Sequence, residues 1–498
     1  MVPPVQKVPM TFSRRQTLSG LTALAGLALS GCQVAPGTGR SSFNLLSEDD
    51  ERQIGQQTHP EIVKEFGGTY GDPAVAAYIA GIGHRLVRVS ETPAADFRFT
   101  VLNSQIVNAM ALPGGYIYVT RGLLALCGNE AEIAGVVGHE IGHVLARHTA
   151  ERVSRAQASS ILAGVLGAVV NVPGVADVAS LGAAAYLQGF SRDQETEADH
   201  LGLRYMSQAG WHPQAMVTML EKLRDQARLE ALMAGRSPDS VDQLDFMASH
   251  PRTIDRVQTA MADALKAAPQ GALGTDEFLD RMDGLVYGDD VDQGVVRDRA
   301  FIHPVLGLRF EVPDGFRLAN GDSAVTASHP SGAAIVFDGA RAQDGSGMAD
   351  YIRRVWLAGA TLEGVEDIQI NGMAAATAAA RGRDRSGAAV DIRAVAIRFD
   401  ANQIFRFLFA TPTAQTAVLN VELRRTTYSF RKLSAEEKAA VRPWRLRVVR
   451  AGPGDSAESL AARMAPAQWK PELFRVLNGL QPGAQPQAGQ RVKLVVSS

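Results

Sequence analysis

From Ser47 onward the chain alternates between two patterns. In some stretches apolar residues recur every three to four positions; in others β-branched and aromatic residues cluster. The first pattern predicts helices and the second strands. Ser47 followed by Asp49, Asp50 and Glu51 has the form of a capped helix start, because a hydroxyl and early carboxylates satisfy the free N–H groups of a first turn. Pro73 opens a second helix, "PAVAAYIAGIGHRLVRVS". "FRFTVLNS" (97–104) and "GGYIYVTRG" (114–122) read as strands, and a long helix is predicted from about Asn129 to Arg152. The apolar stretch 161–187 is interrupted by Asn171, Pro173, Gly174 and Asp177. It predicts a pair of buried or site-covering helices in preference to a membrane span, with membrane-surface contact as the alternative.

The pattern then changes. "LKAAPQGALGTDE" (265–277) is small and polar, which predicts a linker over 266–289. Strand-like runs follow at 306–312, 333–340, 388–399 and 403–410, with a helical period over 348–359 between them. Strands with an intervening helix predict a separate α+β domain over 290–435. The tail, 444–498, reads as strand, turn, two helices and strand.

Length and charge narrow the classes. At 498 residues the chain needs several cores, and 46% hydrophobic with 20% charged residues is an ordinary globular composition. A net charge of −2 without a basic block argues against nucleic acid as a partner. The N-terminus reads as a targeting segment: Arg14 and Arg15 precede "LTALAGLALSGC", too short an apolar run to span a membrane as a helix. Leu29-Ser30-Gly31-Cys32 resembles a bacterial lipobox, which implies a signal peptide over 1–32 and lipidation at Cys32. The alternative is a plain signal peptide with an incidental cysteine. The paired arginines resemble a twin-arginine export signal. "QVAPGTGRSS" then predicts a flexible tether over 33–46. Beyond Cys32 only Cys127 remains, so no intrachain disulfide is expected and Cys127 reads as a small buried side chain.

The candidate chemistry lies in "GHEIGHVLARH" (138–148), in a chain with only 10 histidines. His139 and His143 are four apart and share a helix face, so both imidazoles can reach one zinc ion. Glu140, displaced around the helix by about 100°, sits where a general base for a metal-activated water belongs. His148, five positions past His143, points away on a continuous helix and reads as a surface or outer histidine. Ala146 and Thr149 stand where a metzincin needs glycine and histidine, so that class is excluded. A third ligand should be a carboxylate. In "SRDQETEADHLG" (191–202) Glu195 and Asp199 are four apart, so one can bind metal while the other orients a histidine ligand.

Together these motifs resemble the zinc metallopeptidase family that includes the CaaX prenyl protease, HtpX and BepA. The resemblance spans about residues 45–265. It implies His139, His143 and Glu195 as zinc ligands, Asp199 behind them, and Glu140 as the base. "NAMALPGGYIYVTRGLL" resembles the family's strand beside the active site, with Asn108, Pro113, Gly114 and Gly115 matching. The resemblance implies an edge there that takes an extended substrate by strand addition. "SHPRTIDR" (249–256) resembles a segment that lies near the metal, implicating His250 and Arg256. Either His250 fills the open zinc position in the resting enzyme, or His250 and Arg256 stabilise the oxyanion.

The tail resembles a LysM module, which implies binding of peptidoglycan-type glycans; a ligand-free packing module is the alternative. The expected fold is therefore multidomain: a mainly α-helical zincin-like metalloprotease domain with a small β-sheet over 47–265, an α+β domain, and a small βααβ LysM-like domain. The expected function is a zinc-dependent endopeptidase (one Zn2+ per chain) of the bacterial periplasm, lipid-anchored at the outer membrane. It would cleave unfolded or misassembled envelope proteins. The rivals are a cell-wall-bound scaffold or chaperone with a closed or structural zinc site, and a peptidoglycan amidase. An intact Glu140 argues against the first, since a structural site needs no base.

Overall fold

The computed structural model describes residues 32–155, 189–243, 270–321, 324–342, 347–384 and 387–497, with 258, 261, 262 and 265. Most of the signal segment and the apolar stretch 161–187 lie outside the described residues.

The expected tether is instead ordered. Strands β1 (Cys32–Val34) and β2 (Ser41–Phe43) pair antiparallel. Between them Gly37 donates its N–H to the Leu145 carbonyl at 3.0 Å. The approach is close: a Cβ on Gly37 would lie 3.1 Å from Leu145 Cβ and 3.2 Å from Leu201 Cδ1. Composition alone read this segment as a loose spacer because its small residues serve close contact here.

Helix α1 (Glu48–Glu65) starts at Ser47 as expected, with Ser47 and Asp50 capping each other reciprocally. Helix α2 (Pro73–Arg88) follows. A three-stranded sheet holds β3 (Arg98–Leu102), β4 (Ala109–Leu112) and β5 (Tyr116–Thr120) in the order β3-β5-β4. The pair β3/β5 is parallel and β4/β5 antiparallel, so β4 is an edge strand. After α3 (Arg121–Leu126) comes α4 (Glu130–Leu145), capped by Asn129, which carries His139, Glu140 and His143.

This helix stops seven residues short of its expected end at Arg152. Arg147 takes a left-handed backbone, φ 58°, that a side-chain-bearing residue rarely adopts. Its guanidinium compensates by donating from Nε to Glu51 Oε1 at 2.6 Å and from Nη2 to the Leu46 carbonyl at 2.8 Å, in a buried site. Burial pushes the Glu51 carboxyl up, and the Arg147 charge opposes it. Helical backbone resumes at 148 in a new direction and is described to 155.

Helices α5 (Arg192–Gln208) and α6 (Gln214–Met233) complete the first domain, and α5 lies along α4. The expected linker is also structured. It carries α7 (Thr275–Met282), which buries Phe278 and Met282, and β6 (Val286–Tyr287).

The α+β domain contains β7 (Val295–Arg297), β8 (Ala300–His303), β9 (Leu308–Glu311), β10 (Arg317–Asn320), β11 (Val325–Ser328), β12 (Ala334–Arg341), α8 (Met348–Tyr351), β13 (Glu363–Ile370), β14 (Met373–Arg383), β15 (Ala389–Arg398), β16 (Gln403–Pro412), α9 (Thr416–Ser429) and β17 (Arg431–Lys432). Seven strands form one antiparallel sheet, β10-β11-β12-β16-β15-β14-β13, and four form another, β17-β9-β8-β7. A phenylalanine core including Phe310, Phe337, Phe407 and Phe430 joins them. The expected helix over 348–359 is only α8 and a wider turn through Ile352–Trp356.

The tail folds as β18 (Trp444–Arg450), α10 (Ala457–Ala462), α11 (Lys470–Asn478) and β19 (Arg491–Ser497), the expected strand–helix–helix–strand order. It does not stand apart. β18 pairs with β6, placing Trp444 opposite Tyr287. Phe474, Leu477 and Val492 share one continuous core with α2 to α7. Buried Lys493 donates to the carbonyls of Ala125 (2.6 Å), Leu126 (3.2 Å) and Cys127 (2.6 Å) at the C-terminal end of α3. Those carbonyls have no partner within a helix, and the negative end of the helix favours a cation. Among the described residues no helix is long and apolar enough to cross a membrane.

Candidate metal centre

Small residues bring the two motif helices together. A Cβ on Gly202 of α5 would lie 2.7 Å from the His139 nitrogen, and one on Gly142 of α4 would lie 3.0 Å from the Ala198 carbonyl oxygen. The backbones therefore touch, and side chains flanking the contact converge. His139 and His143 from α4 meet Glu195 and Asp199 from α5, all of them buried.

The donor atoms fit one metal ion. His139 Nε2 and His143 Nε2 are 2.9 Å apart, and Glu195 lies 3.7 Å from the first and 3.4 Å from the second. Ligands about 2.1 Å from a tetrahedral ion are about 3.4 Å apart, and two imidazoles with one carboxylate is a catalytic zinc donor set. Among the described residues His139, His143 and Glu195 form the group with this geometry. Asp199 Oδ1 stands 2.8 Å from His139 Nδ1, an ion-pair distance that places the carboxylate to hold that nitrogen's hydrogen and leave Nε2 facing the group. Glu140 is 1% exposed and adjacent in sequence to His139.

Several neighbours were not legible in the motif. The Phe190 ring stacks on His143 with centroids 3.9 Å apart, and the Arg152 guanidinium lies 3.6 Å above Phe190. Of the two places expected for His148, the surface or just outside the ligands, the second holds: it is fully buried and its Nδ1 is 2.9 Å from His143 Nδ1. The break at Arg147 turns it back towards the centre, where a continuous helix would have pointed it away. A proximal histidine after the motif was the available signal; the helical wheel misplaced it.

The remaining candidates divide. Asn108 heads β4, its N–H donating to Thr120 Oγ1 at 3.1 Å. Pro113, Gly114 and Gly115 form the turn between β4 and β5. Both glycines have positive φ, and Gly114 presses on the backbone of Arg52 in α1. β4 is thus one of the sheet's two edge strands, and α4 covers it on one face. Cys32 is the first residue of β1. His250 and Arg256 lie outside the described residues.

A family model described as Peptidase family M48 matches residues 73–264. The Beta-barrel assembly-enhancing protease of Escherichia coli (strain K12) is 29% identical over 286 residues, covering 53% of this chain and 56% of that protein. The Mitochondrial metalloendopeptidase OMA1 of Schizosaccharomyces pombe is 30% identical over 228 residues, covering 45% of this chain and 64% of that one. OMA1 of Arabidopsis thaliana is 42% identical over 188 residues, 36% of either chain. The chain thus spans about half to two thirds of the first two relatives, and the family match includes His139, Glu140, His143, Glu195 and Asp199. Over residues 73–264 the chain is similar to the metallopeptidases of family M48.

Proposed function

We propose that this protein is a zinc-dependent endopeptidase of the bacterial cell envelope that cleaves unfolded or misassembled envelope proteins. The observation that carries the reading is the buried convergence of His139, His143 and Glu195 beside an intact Glu140. Bound zinc would polarise the scissile carbonyl and lower the pKa of the attacking water. Glu140 accepts that water's proton and delivers it to the leaving amine. Asp199 holds His139 in its ligating tautomer. The edge of β4 takes the substrate as an added strand, which aligns a peptide by its backbone whatever its side chains. An unfolded chain offers such segments and a folded one does not. His250 gates the resting centre and Arg256 supports the oxyanion.

The quality-control role is supported by the similarity to the Escherichia coli relative, a beta-barrel assembly-enhancing protease. Anchoring through a lipid on Cys32, in the outer membrane after twin-arginine export, is supported by the sequence "SRRQTL" and "LSGC". Peptidoglycan contact through 444–498 is supported by the strand–helix–helix–strand order of that module. The near-complete burial of the donor set favours a second reading, a chaperone or scaffold whose centre stays closed. Glu140→Gln decides between them. A peptidase keeps about one zinc per chain and loses casein cleavage in this variant; wild-type protein that binds zinc and never cleaves casein supports the closed scaffold.

A further inference from the structure

A chain of hydrogen bonds leaves the metal centre on the side away from Asp199. His143 turns Nε2 towards His139 and Glu195, and its Nδ1 lies 2.9 Å from Nδ1 of His148. On the far side of His148, Nε2 is 3.0 Å from Glu197 Oε2. The same oxygen is 3.3 Å from Arg40 Nη2 in the loop between β1 and β2. Arg40 also reaches Glu151 at 3.2 Å, and Glu151 accepts from Gln194 Nε2 at 3.1 Å.

The order of hydrogens along this chain follows from the end. A carboxylate only accepts, so His148 Nε2 carries the hydrogen in the bond to Glu197. In the neutral imidazole Nδ1 of His148 is then a lone pair. The hydrogen between the two Nδ1 atoms therefore belongs to His143. With Nδ1 protonated, Nε2 of His143 is left as a lone pair, directed at Glu195 and His139. His139 reaches the same tautomer through Asp199 directly; His143 reaches it through an intervening histidine.

We propose that His148, Glu197 and Arg40 are positioning residues of the metal centre, which fix His143 in its ligating tautomer and make the N-terminal hairpin a structural part of that centre. The break at Arg147 is what makes the relay possible, because it returns His148 to the site. Glu197 sits two residues beyond Glu195 on α5, so one helix supplies a ligand on one face and the relay's acceptor on another. Arg40 bridges Glu197 of α5 and Glu151 of the segment after α4, so the hairpin clamps the two together.

The proposal rests on zinc being the bound metal, and the test separates the two ideas. Zinc affinity is measured by chelator competition on the purified chain, with thermal melting of the metal-free protein alongside. Glu197→Ala and His148→Phe should weaken zinc binding by roughly 10- to 100-fold, as loss of a ligand's supporting hydrogen bond does elsewhere. His148→Gln, which keeps an acceptor, should recover part of the loss, and Arg40→Ala should weaken binding less than Glu197→Ala. Glu197 is partly exposed, so its replacement tests the relay even where His148→Phe fails to fold. Wild-type affinity in Glu197→Ala and His148→Phe overturns the relay. Equal loss of metal-free melting temperature and zinc affinity in every variant, with no recovery in His148→Gln, overturns it as well. Wild-type protein that holds no zinc overturns the metal reading itself.

Discussion

Gly202 and His139 are in backbone contact: a single methyl group on Gly202 would sit 2.7 Å from the His139 nitrogen. The candidate metal centre is assembled by that contact, since its histidines and its carboxylates come from separate helices. Gly202→Val should force α4 and α5 apart, costing about 1–3 kcal/mol of stability and lowering zinc affinity at the same time. Thermal denaturation paired with zinc titration checks it; a variant with unchanged values in both would show that the helices are held by other contacts.

The two carboxylates of α5 should behave differently. Glu195→Ala should abolish zinc retention through dialysis, because a donor is lost. Asp199→Ala should leave the donors in place and weaken zinc about 10- to 100-fold. Metal analysis after dialysis against graded chelator distinguishes the two, and full occupancy in Glu195→Ala would move the third ligand elsewhere.

His250→Ala should raise basal casein turnover, and Arg256→Ala should lower it by roughly 10²–10³, the loss expected of a strong oxyanion donor. Side-by-side rates decide: falls in both mean that His250 serves the reaction, and no change in either removes residues 249–256 from the site.

Lys493 gives the fold a pH signature. Burial lowers its ammonium to about 7, whereas an unfolded lysine titrates near 10.5. Between those values the unfolded chain binds more protons, so this group's contribution to stability rises with pH. Cys127 acts oppositely above about 9, because burial raises its thiol from 9.0 to about 12. From pH 7 to 9 the lysine effect should therefore be seen alone, about 2 kcal/mol at one pKa unit per 1.4 kcal/mol. Chemical denaturation of wild type and Lys493→Met across that window measures it. The stability difference between the two proteins should change with pH; a constant difference would mean that Lys493 stays charged in the fold.

Cys32→Ser should release the protein from the membrane fraction of a bacterial host, as one lipid-bearing residue is removed. Fractionation with immunodetection reads this directly, and continued membrane association would assign the attachment to another segment.

What could be read without coordinates was local. The spacing of His139, His143, Glu195 and Asp199 is a property of single helices, and both helices start at side-chain caps, Asn129 and Ser191. What failed depended on distant partners. A left-handed Arg147 is stable only because Glu51 and Leu46, about a hundred residues upstream, receive its guanidinium, and the position of His148 follows from it. Residues 33–46 looked like a spacer because nothing in "APGTG" reveals that Gly37 meets Leu145 and Leu201. The same holds at the other end. Nothing in the tail's strand pattern reveals that Lys493 meets three carbonyls at the end of α3.

The pairing of Tyr287 with Trp444 has a consequence for how the protein can vary. Residues 288–443 leave and re-enter through neighbouring positions of one ladder, about 5 Å apart. They form a cartridge with a single doorway, and the chain on both sides of that doorway already belongs to the peptidase core. Such a cartridge can be exchanged, lengthened or emptied without rerouting the catalytic half, in the way that domains are accepted at sites where a chain's entry and exit lie close together.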